Sequence, residues 1–195
     1  MLLTNPSFSN FKLVLPPDFL PKEIEKKYKT KMLHIPEIIS EPIDLLNHSI
    51  TGFTMNGFSN ETVTQTAAGY STKREFRNGA DMFGNIAENN RDITIEFKHT
   101  ESYLNWFIMY DLMAWYWDYS SKQKPKPVYL PAIILEILTA EGFLQIGVEF
   151  RNVIFKEISG LSLSYTTSTP EFTNFTCEFA FQYLEFYNTI TDKEL

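Results

Sequence analysis

The sequence holds a single cysteine, Cys177, in 195 residues, which excludes an internal disulfide framework and a thiolate metal cluster. Histidine is almost as scarce: His34, His48 and His99 are scattered, and no metal site is assigned to them. Basic charge is outweighed, with 17 Lys and Arg against 24 Asp and Glu and a formal net charge of −7. Sequence-independent affinity for nucleic acid rests on neutralising phosphates, so this balance excludes a protein that grips DNA or RNA. The most basic stretch, Lys22 to Lys31, is diluted by Glu23 and Glu25 and is expected to be a solvated segment. No apolar run reaches the ~18 residues of a membrane helix. Trp106 to Trp117 comes nearest and is broken by Asp111. The first residues lack a basic stretch followed by an apolar one, so no signal peptide is expected. These absences predict a soluble chain with no membrane insertion.

Motifs that carry chemistry are equally sparse. Gly52 and Gly57 are isolated, and no Gly-Lys-Ser/Thr loop or Gly-x-Ser-x-Gly elbow occurs. Glu96, Glu101 and Asp111 are the carboxylates nearest to forming a hydrolytic pair. Glu96 falls on the wet side of a predicted strand and Glu101 at a predicted helix start, which accounts for both. Asp111, an acid inside an aromatic helix, is expected to pair with a Lys or Arg of its own or a neighbouring subunit, or to face solvent. No catalytic, cofactor-binding or metal-binding residue is assigned, no cofactor is expected, and the chain is not expected to be an enzyme.

Aromatic residues are what the sequence has in quantity: 17 Phe and 10 Tyr. They favour strands and interfaces. Period-two alternation predicts a strand within Ser7 to Leu15 and another over Asp92 to Lys98, with Ile93, Ile95 and Phe97 on one face. Two strands are predicted between Ile50 and Ala68, with a bend near Gly57, and a glycine- and asparagine-rich loop or mobile hairpin over 69–90. Further strands are predicted over Val128 to Leu138, Phe143 to Phe150 and Asn152 to Ile158. The last run, Phe172 to Phe186, reads as one strand with Phe175, Cys177, Phe179, Phe181 and Tyr183 on a common face. Residues 16–47, punctuated by Pro16, Pro17, Pro21, Pro36 and Pro42, are expected to form an excursion outside the main sheet, with a short helix at Lys22 to Lys29 and extended pieces at Met32 to Ile35 and Ile38-Ile39.

One long helix is predicted from Glu101 to about Tyr119, with Thr100 as its cap. Leu104, Phe107, Ile108, Leu112 and Trp115 form one apolar stripe. Trp106, Met109, Tyr110, Met113, Tyr116 and Trp117 lie largely outside it. A surface helix of a monomer needs one stripe. The surplus predicts a second covered side, and Trp106, Tyr110 and Trp117 are the candidate subunit interface. Trp106, Trp115 and Trp117 also admit a second reading as a carbohydrate- or base-stacking platform.

Three stretches of the second half resemble the tail tube protein family of contractile-tailed bacteriophages, which is related in fold to tube proteins of type VI secretion and other contractile injection systems. They are RDITIEFK at 91–98 with the helix that follows, VIFKEISGLSLSY at 153–165, and the closing FTNFTCEFAFQYLEF at 172–186. The resemblance covers roughly 48–188 and is one of order and spacing. It implies a mainly β fold with one main α-helix: two packed antiparallel sheets, as a sandwich or barrel, in a single tail-tube-like domain over 1–195 with the proline-punctuated insertion at about 16–47. It further implies hexameric rings that stack into a tube, sheath and baseplate proteins as partners, and DNA passing through the lumen during ejection. A negative lumen would let DNA slide. The location implied is the virion tail, after synthesis in the host cytoplasm. A baseplate or tail-terminator ring, or the tube of an injection or secretion system, fits the same pattern. A carbohydrate-binding β-sandwich is the reading from another class.

Overall fold

The structure is a computed structural model and describes residues 10–32, 41–56, 62–66, 73–77, 91–122, 129–139, 141–161 and 173–187. It is mainly β, built on two four-stranded antiparallel sheets that pack face to face with helices alongside. The first sheet orders β1 (Phe11–Val14), β6 (Ile133–Leu138), β7 (Leu144–Arg151) and β10 (Tyr183–Tyr187). The second orders β2 (Ile50–Met55), β5 (Asp92–Lys98), β9 (Asn174–Ala180) and β8 (Ile154–Ile158). A hairpin of β3 (Thr62–Thr66) and β4 (Lys73–Arg77) stands apart from both. β4 falls within the predicted loop or hairpin over 69–90; the rest of that stretch lies outside the described residues, as does Gly57.

The strand alternation explains the core. In the second sheet Ile93 pairs with Phe179, Ile95 with Cys177 and Phe97 with Phe175, and all six side chains are fully or almost fully buried. Across the sandwich the rings of Phe53 and Phe150 lie 5.6 Å apart, and those of Phe150 and Phe181 5.0 Å apart. Such edge and tilted contacts join the sheets through large apolar areas. Cys177 is fully buried, and burial pushes its thiol pKa well up. It is packing material rather than a nucleophile.

The closing run is two strands, not one. β9 ends at Ala180, and the chain turns at Phe181 and Gln182 to enter the other sheet as β10. The corner is tied from both sides: Phe181 N–H donates to the Arg91 carbonyl, Gln182 N–H to the Arg151 carbonyl, and the Arg91 guanidinium to the Gln182 carbonyl at 2.7 Å. Phe175, Cys177, Phe179 and Phe181 are buried as expected, but Tyr183 lies beyond the corner and is exposed.

Residues 17–32 and 41–49 lie outside the sheets yet supply much of the core. After a 3-10 turn at Pro17–Phe19 come α1 (Lys22–Lys29), where the sequence places it, and α2 (Pro42–Ser49), which the proline count concealed. Proline at the first helical position costs no hydrogen bond and presets the backbone angle, so Pro42 starts a helix. Phe19, Leu20, Ile24, Tyr28, Leu45 and Leu46 all join the central core. Met32 is buried without joining a regular element, and the other positions of the predicted extended pieces lie outside the described residues.

Candidate subunit interface

The long helix, α3 (Leu104–Lys122), begins after a sharp turn. Ser102 and Tyr103 hold positive φ values of 66° and 55°, a left-handed region that few non-glycine residues adopt. Thr100 makes no side-chain cap to the 3-10 turn of Glu101–Tyr103, but its hydroxyl accepts from the Asn105 N–H at 3.4 Å in the first turn of α3. The anchor is instead Asn105, fully buried, whose amide donates to the Lys98 carbonyl at 2.7 Å while its Oδ1 accepts from the Trp106 N–H at 3.0 Å. The helix is thereby fixed to the end of β5.

The face that α3 buries is Asn105, Ile108, Met109, Leu112 and Tyr116, with Leu104 and Trp115 half-buried beside it. Phe107, expected in this stripe, turns outward, while Met109 and Tyr116 turn in. On the Phe107–Asp111 flank α1 packs against α3 and takes part of its circumference. Tyr28 Oη donates to Asp111 Oδ2 at 2.6 Å and lies 3.1 Å from the Phe107 carbonyl. Lys27 forms an ion pair with the same carboxylate. Desolvation raises the Asp111 pKa, but the bonds from Lys27 and Tyr28 outweigh it and hold the carboxyl below its usual value. Burial first, then the Asp111 carboxylate, pushes the Tyr28 phenol up. Asp111 therefore pairs with a lysine of its own subunit, and its charge is a clamp between α1 and α3.

Covering that flank leaves the other open. Trp106, Tyr110, Met113 and Trp117 recur at the i, i+4, i+7, i+11 spacing that lines up one side of a helix. Tyr110 is 46% exposed and Trp117 66%; Phe107, 44% exposed, flanks them. The three residues singled out from sequence thus share one row. Trp106 and Tyr110 stack with ring centres 5.4 Å apart, and Trp117 follows two turns on. Trp106 is the most constrained, since its indole N–H donates to the Ser159 carbonyl at 3.0 Å.

A stacking platform of three tryptophans is not formed. Trp115 leaves the helix on the opposite side from Trp106 and Trp117. It lines an open cleft of 320 Å³ with Phe19, Tyr129, Leu130 and Pro131. Of the carboxylates, Glu96 accepts from the Asn174 amide at 2.8 Å. His99 is wedged between the rings of Tyr103 and Phe175, and burial lowers its pKa. Among the described residues no three His, Cys, Asp or Glu side chains gather as metal ligands, and no helix is long and apolar enough to cross a membrane.

A second exposed apolar region went unnoticed in the sequence. Phe143, Ile146, Tyr183, Phe186 and Tyr187 project from β7, β10 and the turn before β7, and Phe186 is 73% exposed. The signal available was the same alternation that marks β9. Only the corner at Phe181-Gln182 separates the buried strand from the bare one.

No protein-family model and no curated protein matches the sequence. Solved structures do match in shape along nearly the whole chain. A chain in the tube-terminating cap of the anti-feeding prophage aligns with a TM-score of 0.50 at 9% identity, covering 97% of this chain and 95% of that one. A chain in the sheath–tube complex of the extracellular contractile injection system PVC, in its extended state, aligns with a TM-score of 0.50 at 10% identity, covering 96% and 95%. The fold is therefore one shared with chains of these contractile injection assemblies.

Proposed function

We propose that this chain is a non-enzymatic structural subunit that forms rings in the tube of a contractile tail or injection machine. The carrying observation is the row of Trp106, Tyr110, Met113 and Trp117 along α3, in which Tyr110 and Trp117 are exposed aromatics and Trp106 and Met113 are half-buried beside them. An exposed aromatic row on a folded domain marks a surface that another chain covers. Among the described residues, β1 and β10 in one main sheet and β2 and β8 in the other are edge strands, which present backbone groups a neighbouring chain could pair with. Six copies per ring, stacking of rings, contacts with sheath and baseplate proteins, and passage of DNA or another cargo through the lumen complete this reading, with the virion tail as its place. Negative-stain microscopy and native mass spectrometry of the purified protein test it. Rings or tubes of a defined copy number are expected, and a monomer at every attainable concentration overturns it.

A ring at the end of the tube is the second reading, favoured by the likeness to a chain of a tube-terminating cap over the same length as the likeness to the sheath–tube complex. Copy number in a purified particle separates the two: many rings for a tube subunit, one for a terminal ring.

A further inference from the structure

We propose that the outer row of α3 in one copy packs on the uncovered core-facing side of β7 and β10 in the next, so that each ring contact is a helix laid on a neighbour's sheet. This rests on the ring reading and specifies which surfaces meet. The register places Leu184 opposite Phe150 and Phe186 opposite Val148, so these four side chains share the core-facing side of the first sheet. Ile146, opposite Ile137, continues the same side along β7. Phe150 and Val148 are buried, whereas Ile146 is 37% exposed and Phe186 nearly three-quarters exposed. Among the described residues the covering layer thus stops short of the β10 edge and of the start of β7. An apolar sheet face without a second layer is incomplete, and the exposed Tyr110 and Trp117 of α3 offer such a layer.

Area and symmetry support the match. With 150–250 Å² per aromatic side chain, the open parts of Phe107, Tyr110 and Trp117 amount to roughly 300 Å², and those of Phe143, Ile146 and Phe186 to about the same. Each is the size of the largest patch on an ordinary monomer. Joined, they supply much of the apolar half of a standard interface of ~800 Å² per partner. A two-fold contact that pairs helix with helix would leave the sheet patch bare. A head-to-tail contact covers both patches in every copy and makes a ring when its rotation closes, whereas a reciprocal two-fold helix-on-sheet pair would stop at a dimer.

Crosslinking of two singly substituted proteins tests this, because the one native cysteine, Cys177, is fully buried and out of reach. Tyr110→Cys and Phe186→Cys are mixed, allowed to assemble, and treated with a short bismaleimide. Both sites are exposed, and thermal melts check that each variant folds. Covalent dimers are expected from the mixture and not from either variant alone, and a ladder up to the closed ring is expected from the double variant. If rings are seen by microscopy but Tyr110→Cys alone or Phe186→Cys alone yields the dimers, or the mixture yields none, the pairing is overturned while the ring reading stands. If neither the unsubstituted protein nor the variants form rings, the ring reading fails and this pairing with it.

Discussion

β9 and β10 come from one unbroken run of alternating aromatics, and they have opposite fates. Phe175, Cys177 and Phe179 on β9 are sealed between a strand on each side and the opposing sheet. Three residues after Ala180, the same alternation lies on an edge strand whose aromatics face outward on both sides: Tyr183 and Tyr187 on one, Phe186 on the other. Tyr187 even lies across Gly147 of β7, where an added Cβ would sit only 2.0 Å from its ring. Period-two spacing tells which residues share a face. It does not tell whether anything covers that face.

The sharpest break of this comparison is a matched pair of truncations. Phe179→Ala should cost about 3–5 kcal/mol of stability, the usual loss for a buried Phe. Phe186→Ala should change monomer stability by no more than ~0.5 kcal/mol, as expected of an exposed position. Urea or thermal unfolding of the two variants reads both, and equal losses would mean that β10 is covered within the monomer.

Tyr110 and Trp117 on the outer row of α3 resemble β10 in being exposed, so truncating Trp117 should spare the fold and harm assembly. Trp117→Ala should weaken assembly by ~2 kcal/mol, raising the concentration for half-assembly roughly 30-fold, with an unchanged monomer melt. Sedimentation velocity over a dilution series measures it. A lowered melt with unchanged assembly would put Trp117 in the core of the subunit instead.

The clamped flank of α3 gives a pH-dependent contrast. Because the Asp111 pKa is lowered in the fold, its contribution is present above the ordinary carboxylate range and is lost as pH falls below about 4. Between pH 5 and pH 3, wild type should therefore lose more stability than Asp111→Asn, in which that titration is gone. Parallel slopes would show that the clamp with Lys27 contributes nothing. A small effect also belongs to the wet face of β9. Glu178 accepts from Lys156 at 2.6 Å in a partly exposed pair, and Lys156 keeps Asp92 as a second partner at 2.8 Å. Glu178→Gln should shift the melt by no more than the ~0–1 kcal/mol of a surface ion pair.

Much of the fold was legible because local pattern and burial agree over most of the chain. α1 lies at the residues where it was expected, and the dry face of β5 is the predicted set of Ile93, Ile95 and Phe97. α2 was missed because proline punctuates a sequence whether it starts a helix or breaks one. The stripe of α3 was drawn partly wrong at Phe107, Met109 and Tyr116, since an almost uniformly apolar helix carries little information about its own orientation. The excess of apolar surface on α3 was legible, and of Trp106, Tyr110 and Trp117 the structure leaves Tyr110 and Trp117 exposed and Trp106 half-buried.

The sequence by itself determined the mainly β character, the one long helix, the shared face of Phe175, Cys177, Phe179 and Phe181, and the lack of recognisable catalytic motifs. These follow from side-chain period and residue type, which are local properties. Only the tertiary structure decided that the closing run bends from one sheet into the other, that α1 claims the Asp111 flank of α3, and that Phe186 stands bare while Phe179 is sealed. Those outcomes depend on which distant segments arrive to cover a face, and no repeat along a single strand or helix records them.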